Sequence, residues 1–305
     1  MTVGVQRPAA PEQTRARYPD REGYVERDGV RSFYEVYGEG EPTVLLLPTW
    51  SIVHSRHWKM QIPYLARHCR VLTFDGRGNG RSDRPSEADA YREEEYAADA
   101  LAVLDATGTE RAAVVSLSRG AERSLLLAAN HPERVERMVF VAPALPLPPA
   151  TPRVQAMRAF DEPRDDYTGW GKWNRHYWVE HYEDFLEFFF AQCFTEPHST
   201  KQREDAVGWG LETDAETLVA TQLAPRLSDE ESVRALLARI DQPMLVIHGR
   251  DDAVRPCASG ARLAELAGAA LTVLEGSGHM PHARDPVKVN LLIREFVESR
   301  GRRAT

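Results

Sequence analysis

The sequence predicts an α/β fold in which helices cover a mostly parallel sheet. Strand-like apolar runs alternate with stretches of helical spacing along most of the chain, which is the pattern of a parallel sheet wrapped by helices. This alternation is interrupted once, between about residues 145 and 235. The chain has 305 residues, of which 42% are hydrophobic and 28% charged, so it is long enough to bury a large core.

The first half of the chain contains a predicted hairpin and four further strands. The stretch YVERDGVRSFYEVYG places two alternating runs around Asp28-Gly29, a dipeptide that suits a tight hairpin turn. The strands are predicted at TVLLLP (43–48), RVLTFDG (70–76), RAAVVSLS (111–118) and RMVFVAPA (137–144). Apolar residues at helical spacing predict helices at EEYAADALAVLDATG and RGAERSLLLAANHP between them.

Two more strands are predicted after the interruption, at QPMLVIHG (242–249) and ALTVLEGSGH (270–279). Each is followed by a helical pattern, near residues 259–267 and 287–300. The interruption opens with the proline-rich ALPLPPATP and continues with aromatic-rich helical sequence. We therefore predict a helical cap at 145–235, inserted into a core made of 24–144 and 236–305. Residues 1–23 are predicted to be a flexible N-terminal extension.

Composition excludes several classes of partner. The net charge of −8, with no basic stripe to offset it, argues against nucleic acid. Cys69, Cys193 and Cys257 lie far apart, which favours neither a disulfide framework nor a zinc cage and indicates a reducing compartment. No apolar run long enough for a signal peptide or a membrane span is found. We expect a cytoplasmic, bacterial protein with a small-molecule substrate that has an apolar part.

Ser118 is the candidate nucleophile. The stretch VVSLSRGAERS ends a predicted strand at Ser118 and begins a helix directly after it. A serine on such a sharp turn needs small neighbours, and Gly120 and Ser116 supply them, although glycine is usual at the position of Ser116. The alternative interpretation is that Ser118 only caps the helix.

A serine nucleophile needs a base and an orienting acid, and the loops after the last two strands offer both. Asp252 follows QPMLVIHG, with Asp251 as its immediate competitor. His279 follows the last strand, with His282 as a second candidate. Because the carboxyl ends of parallel strands meet at one edge of a sheet, these groups are expected to lie near Ser118. The chain order is Ser, Asp, His.

Three stretches carry a family resemblance. RVLTFDGRGNGRSDRP is similar to a D-x-R-G-x-G-x-S motif, HGRDDAVRP to a G-x-x-D-x-x-x-P acid loop, and GSGHMPH to a G-x-G-H loop. Over about residues 24–300 the chain resembles a capped α/β-hydrolase of the serine-nucleophile type. The resemblance implies Ser118 as nucleophile, His279 as base and Asp252 as its partner. It also implies a serine hydrolase that cleaves an ester-like bond through an acyl-enzyme, with no cofactor.

The predicted oxyanion hole departs from the family pattern. The superfamily usually has His-Gly after the strand that corresponds to TVLLLP, whereas this chain has Pro48-Thr49-Trp50. By position, the backbone N–H groups of Trp50 and Arg119 would meet the oxyanion. The Arg119 side chain has two predicted orientations. It either binds an acidic substrate group or points away and pairs with Glu122 or Asp75.

The cap is rich in aromatic residues. Trp170, Trp173 and Trp178, together with Trp50, are predicted to form an apolar wall against the substrate. The alternative is that the cap aromatics simply pack the cap onto the sheet. The histidine pairs at 54–57, 176–181 and 279–282 lack a third ligand, so no metal is expected.

Two other functions remain open. One is a lyase or carbon–carbon bond cleaving enzyme that uses the same base without an acyl-enzyme. The other is a catalytically silent ligand-binding or sensing protein.

Overall fold

An eight-stranded sheet forms the centre of the computed structural model, which describes residues 15–299. The strand order is β1-β2-β4-β3-β5-β6-β7-β8, and all pairs from β4 to β8 are parallel. The predicted mostly parallel sheet is thus confirmed. The strands are β1 (Arg21–Arg27), β2 (Val30–Tyr37), β3 (Thr43–Leu46), β4 (Arg70–Phe74), β5 (Ala112–Leu117), β6 (Val135–Val141), β7 (Met244–Gly249) and β8 (Ala270–Leu274).

The N-terminal hairpin forms as predicted. β1 and β2 pair antiparallel, and the turn residues Asp28 and Gly29 have φ values of 53° and 76°, as a primed hairpin turn requires. β1 begins at Arg21, so residues 21–23 belong to the sheet and not to the predicted extension. The rest of that extension up to residue 14 lies outside the described residues, as do residues 300–305.

Helices lie on both faces of the sheet. One face packs against apolar residues of α2, α3, α9 and α10, and the other against residues of α1 and α12. Side chains along β5 alternate between the two cores, as strand geometry requires. The helices are α1 (Ile62–Leu65), α2 (Glu93–Ala106), α3 (Gly120–Asn130), α4 (Pro152–Arg158), α5 (Arg175–Glu180), α6 (Tyr182–Cys193), α7 (Thr200–Gly210), α8 (Ala215–Leu223), α9 (Glu230–Leu237), α10 (Cys257–Ala267), α11 (Pro281–Arg284) and α12 (Pro286–Glu298).

Six helices, α4 to α9, lie between β6 and β7, and we call residues 142–243 the inserted segment. Buried aromatic residues of this segment share one apolar core with Trp50 and with one face of the sheet. α9 packs against α3 and α10 of the sheet domain. The predicted cap boundary at residue 235 therefore falls inside a helix that belongs with the sheet. No helix within residues 15–299 is long and apolar enough to cross a membrane.

Candidate active site

Ser118 lies on the sharp turn between β5 and α3. Its φ is 52°, a left-handed conformation that is strained for a residue with a side chain. A Cβ atom on Gly120 would lie 2.9 Å from the carbonyl oxygen of Pro48 and 3.2 Å from Cβ of Ser116. Glycine at 120 therefore permits the close approach that the turn needs, and the small Ser116 is accommodated without glycine.

A hydrogen-bonded chain links Ser118 to His279 and Asp252. Nε2 of His279 lies 2.9 Å from Oγ of Ser118, and Nδ1 of His279 lies 2.7 Å from Oδ2 of Asp252. His279 and Asp252 are 3% and 7% exposed, respectively. The structure thus brings the three predicted residues together, and the hydroxyl of Ser118 contacts His279 instead of capping α3.

Asp252 is surrounded by hydrogen-bond donors. Its Oδ1 accepts from the backbone N–H groups of Val254 and Arg255, both at 2.8 Å, and its Oδ2 also contacts Nε2 of His248 at 3.0 Å. Burial alone raises the pKa of this carboxyl group, but the charge of His279 and hydrogen bonds from His248 and His279 outweigh it and hold the pKa below its usual value. Asp252 is therefore ionised at neutral pH.

The two competing residues lie elsewhere. Asp251 is exposed, and its backbone N–H donates to the carbonyl oxygen of Ser277. His282 is buried against His57, with Nε2 of His282 3.2 Å from Nδ1 of His57. Among the described residues, no group of three or more His, Cys, Asp or Glu side chains could hold a metal ion.

The inserted segment positions the His279 loop. The backbone N–H of His279 donates to the carbonyl oxygen of Cys193, which ends α6. The Glu196 carboxylate accepts from the backbone N–H of Gly278 at 2.6 Å. Both contacts come from a part of the chain that sequence patterns did not connect to the site. They hold the backbone of the His279 loop against the inserted segment.

The backbone N–H groups of Trp50 and Arg119 are both available at this site. Within residues 15–299 neither donates a hydrogen bond to a protein acceptor. The guanidinium of Arg123 donates to the carbonyl oxygens of Pro48 and Thr49, at 2.9 and 2.6 Å. Because the C=O and N–H of a trans peptide point in opposite directions, this contact turns the N–H of Trp50 away from Arg123.

Glu93, in the first turn of α2, organises the arginines beneath this loop. Its carboxylate contacts Arg119 at 3.2 Å, Arg123 at 2.6 Å and Arg226 at 3.5 Å, and it is 0% exposed. Burial raises its pKa, but the charges of Arg123, Arg119 and Arg226 outweigh this effect, so the pKa is lowered. Glu93 is a buried anion that holds three cations in place.

The Arg119 side chain is paired within the protein, but its predicted partners were wrong. It binds Glu93 and the carbonyl oxygen of Thr221 and not Glu122 or Asp75. Burial lowers its pKa to about 10, so it remains a cation at neutral pH. Thr221 also accepts from Nε1 of Trp50 at 2.8 Å. α8 of the inserted segment therefore anchors the side chains of both residues whose N–H groups border the site.

A small cavity, of about 30 Å³, adjoins Ser118 and His279. Its apolar walls include Trp50, Phe189 and Phe190. The prediction that Trp170, Trp173 and Trp178 also contact the substrate is corrected here, because none of them lines this cavity. Trp173 and Trp178 are fully buried behind Trp50, with ring centroids 5.0 and 5.7 Å from it, and Trp170 packs on Trp173 and Phe188.

Sequence reasoning missed several residues at this site. Glu93 could have been found, since it shares helical spacing with the apolar positions 96, 97, 100, 103 and 104 of α2. Arg123 and His248 lie in predicted elements but carry no signal for their role. Phe189 and Phe190 stand in an aromatic run in which no pattern separates them from Phe188.

The chain belongs to the α/β-hydrolase fold family, whose model matches residues 42–286. It is 28% identical over 281 residues to the 2-hydroxymuconate semialdehyde hydrolase of Pseudomonas sp. strain CF600, covering 88% of this chain and 91% of the relative. It is 30% identical over 281 residues to the non-heme chloroperoxidase of Streptomyces lividans, covering 89% and 98%. The crystal structure of the enol-lactonase from Burkholderia xenovorans LB400 superimposes with a TM-score of 0.71 at 25% identity, covering 91% and 100%. The predicted family and its enzyme class are thus confirmed.

Proposed function

We propose that this protein is a serine hydrolase that cleaves an ester-like acyl bond through an acyl-enzyme. The bond is that of a carboxylic ester, a lactone or a thioester. The observation that carries the proposal is the continuous contact from Ser118 Oγ to His279 Nε2 and from His279 Nδ1 to Asp252. Nucleophile, base and orienting acid then stand in the order that acyl transfer requires. Similarity to a chain named enol-lactonase also supports this reaction class.

Ser118, His279 and Asp252 each have a separate role in the proposed reaction. Because ionised Asp252 accepts from Nδ1–H of His279, Nε2 is left unprotonated and can take the proton of Ser118. Oγ of Ser118 then bonds to the substrate carbonyl carbon, and the proton passes from Nε2 to the leaving group as the acyl bond breaks. Water then gives a proton to Nε2 of His279 and bonds to the acyl carbon. The bond from that carbon to Oγ of Ser118 breaks, the acid is released, and the proton passes from Nε2 to Oγ.

The developing oxyanion would be met by the backbone N–H groups of Arg119 and Trp50. Arg123 supports this role, since it holds the carbonyl oxygens of Pro48 and Thr49 on the other side of the loop. In this proposal the hydrogen bonds from Arg123 hold the Pro48-Thr49-Trp50 loop in the orientation that a His-Gly pair would otherwise allow. Arg123 is thus a positioning residue, and Glu93 positions it in turn.

The inserted segment is proposed to act as a cap over the cavity. It supplies Phe189 and Phe190 to the cavity wall and holds the His279 loop through Cys193 and Glu196. The apolar walls of the cavity favour a substrate with an apolar part.

Labelling with a fluorophosphonate tests the proposal. We expect one adduct per chain in the intact-protein mass, located on Ser118 by peptide sequencing. Ser118→Ala should abolish the adduct, and Ser116→Ala, the matched control on the same turn, should retain it. A folded protein that stays unlabelled would contradict the acyl-enzyme, and it would favour a lyase-type reaction or a binding role.

A further inference from the structure

Arg153 is a buried arginine in the cavity of the proposed nucleophile. It is the second residue of α4, is 6% exposed and lines the same cavity as Ser118 and His279. Within residues 15–299 its guanidinium makes no hydrogen bond or ion pair, and its buried Nε is unpaired. A buried cation normally has an anionic partner, so the missing anion has to come from elsewhere.

The neighbouring carboxylates are already bound by other arginines. Glu93 is shared by Arg119, Arg123 and Arg226, and Arg226 also binds Glu122 at 3.1 Å. Both carboxylates are thereby occupied, and neither contacts Arg153. The surroundings of Arg153 therefore contain more positive than negative charge.

The Arg153 guanidinium is held in place by an aromatic ring. Its Cζ lies 4.5 Å from the ring centroid of Trp173, and this cation–π contact uses none of the N–H donors of the guanidinium. Burial lowers the pKa of Arg153, and the charges of Arg255, Arg226 and Arg119 lower it further. An anion at this position would relieve both effects.

A second cavity, of about 260 Å³, shares Arg153 with the first as a lining residue. Arg158, Arg226 and Arg255 also line it, and no acidic residue is among its lining residues. Arg255 is 5% exposed, and its Nε and Nη2 are unpaired. The arginines that line the second cavity thus add to the positive charge of Arg153 and do not neutralise it.

We propose that Arg153 binds a carboxylate on the substrate, so that this enzyme acts on esters or lactones that carry an anionic group close to the scissile carbonyl. A carboxylate matches the guanidinium edge with two parallel hydrogen bonds. Of the two arginines that line the Ser118 cavity, Arg119 is already paired with Glu93, so Arg153 offers one positive charge that a carboxylate balances. The substrate assignment rests on the proposed acyl hydrolysis at Ser118.

Kinetics on two esters of equal chain length test the proposal. Phenyl valerate is neutral, and monophenyl glutarate replaces its terminal methyl group by a carboxylate. Arg153→Gln should lower kcat/KM for monophenyl glutarate by about 10- to 100-fold, the usual range for losing a hydrogen bond to a charged group. It should change kcat/KM for phenyl valerate by less than about threefold. Arg153→Lys, which keeps the charge but loses the paired geometry, should fall between Arg153→Gln and the wild type.

Arg158→Gln is the matched control, because Arg158 lies on the same helix and lines the second cavity but not the Ser118 cavity. It should change kcat/KM for both esters by less than about threefold. Equal losses on both esters in Arg153→Gln, together with a lower melting temperature, would show that Arg153 only supports the fold. An unchanged preference between the esters would also overturn the proposal.

A binding measurement separates this inference from the reaction itself. Glutaramate has the carboxylate but no ester, and valeramide is its neutral counterpart. Glutaramate should raise the melting temperature of Ser118→Ala but not of Ser118→Ala/Arg153→Gln, and valeramide should raise neither. Arg153-dependent binding without any ester hydrolysis would leave the anion site standing and refute the proposed function. Hydrolysis of phenyl valerate without Arg153-dependent binding would support the proposed function and refute the anion site.

Discussion

At the scale of single residues, the site depends on how closely the backbone can approach the turn after β5. Ser118 adopts a φ of 52°, and this strained conformation persists only because its surroundings hold it. The contact between Gly120 and Pro48 joins the turn to the loop that carries the Trp50 N–H. Position 120 therefore controls the geometry of both the nucleophile and the proposed oxyanion hole.

Gly120→Ala is predicted to damage stability and activity together. The new methyl group would lie 2.9 Å from a backbone oxygen that cannot rotate away, so we expect a loss of about 1–3 kcal/mol in the free energy of unfolding. The rate of ester hydrolysis should fall at least about tenfold, because Ser118 is displaced from His279. Urea denaturation and initial rates measure the two effects.

Ser116→Gly is the control for this prediction. It removes the other close atom at the turn and should change stability by no more than about 1 kcal/mol. The double variant Ser116→Gly/Gly120→Ala should recover only part of the loss, since the contact with Pro48 remains. Wild-type stability and rate in Gly120→Ala would contradict the argument.

At the scale of elements, one carboxylate in the first turn of α2 connects three other parts of the fold. Glu93 contacts Arg119 before α3, Arg123 within α3 and Arg226 after α8. Arg123 passes this restraint to the loop after β3. The relative position of these elements thus fixes the direction of the Trp50 N–H, although no residue of α2 touches the substrate cavity.

Glu93→Gln is therefore predicted to lower kcat while KM changes little. Releasing Arg123 loosens one of two proposed oxyanion donors, for which we expect a loss in kcat of about 10- to 100-fold. Breaking the buried charge cluster should also cost about 3 kcal/mol of stability. Steady-state kinetics on a neutral ester, on protein shown to be folded by circular dichroism, measure the effect.

Glu94→Gln provides a matched comparison, because Glu94 is the exposed neighbour of Glu93 on the same helix. It should leave kcat, KM and stability unchanged. If folded Glu93→Gln kept the wild-type kcat, the cluster would have no part in orienting the loop.

At the scale of the whole molecule, the inserted segment and one sheet face share a single apolar core. A buried histidine pair, His57 and His282, lies where the segment after β3 meets α11. Burial lowers the pKa of His57 well below its usual value, aided by His282 and His54, and burial together with His279 lowers the pKa of His282 to about 3. Both imidazoles are neutral in the folded protein at neutral pH.

Global stability is consequently predicted to fall as the pH drops below the pKa of unfolded histidine, about 6.5. Below that pH the unfolded chain binds protons that the folded chain excludes, so each histidine costs up to about 1.4 kcal/mol per pH unit. For His282 this cost accumulates until its folded pKa near 3 is reached. Urea unfolding at a series of pH values between about 7 and 5 gives the slope.

Replacing one histidine isolates its share of this slope. His282→Gln should flatten the dependence of stability on pH by up to about 1.4 kcal/mol per unit below pH 6.5. His181→Gln, at an exposed position, should leave the slope unchanged. Equal slopes in the wild type and in His282→Gln would show that His282 is not buried as a neutral base.

Local pattern predicted the strands and the hairpin, because these depend on periodicity and turn chemistry within short stretches of chain. The family was predicted from the resemblance of three short motifs. The same reasoning could name Ser118, Asp252 and His279 as candidates, since parallel strands deliver their loops to one edge. It could not place the inserted helices, and so it assigned Trp170, Trp173 and Trp178 to the substrate wall. Those rings lie behind Trp50 or outside the cavity.

By itself, then, the sequence determined where the strands lie and the order of the chemical groups along the chain, since both are read from patterns within short stretches. Only the tertiary structure decided which charges meet. Glu93 binds Arg119, for which an acidic substrate group, Glu122 and Asp75 were the predicted alternatives, and Arg153 lines the cavity without an acidic partner among residues 15–299. Charge pairing between residues far apart in the chain depends on how helices pack, and that packing has no periodic signature in the sequence.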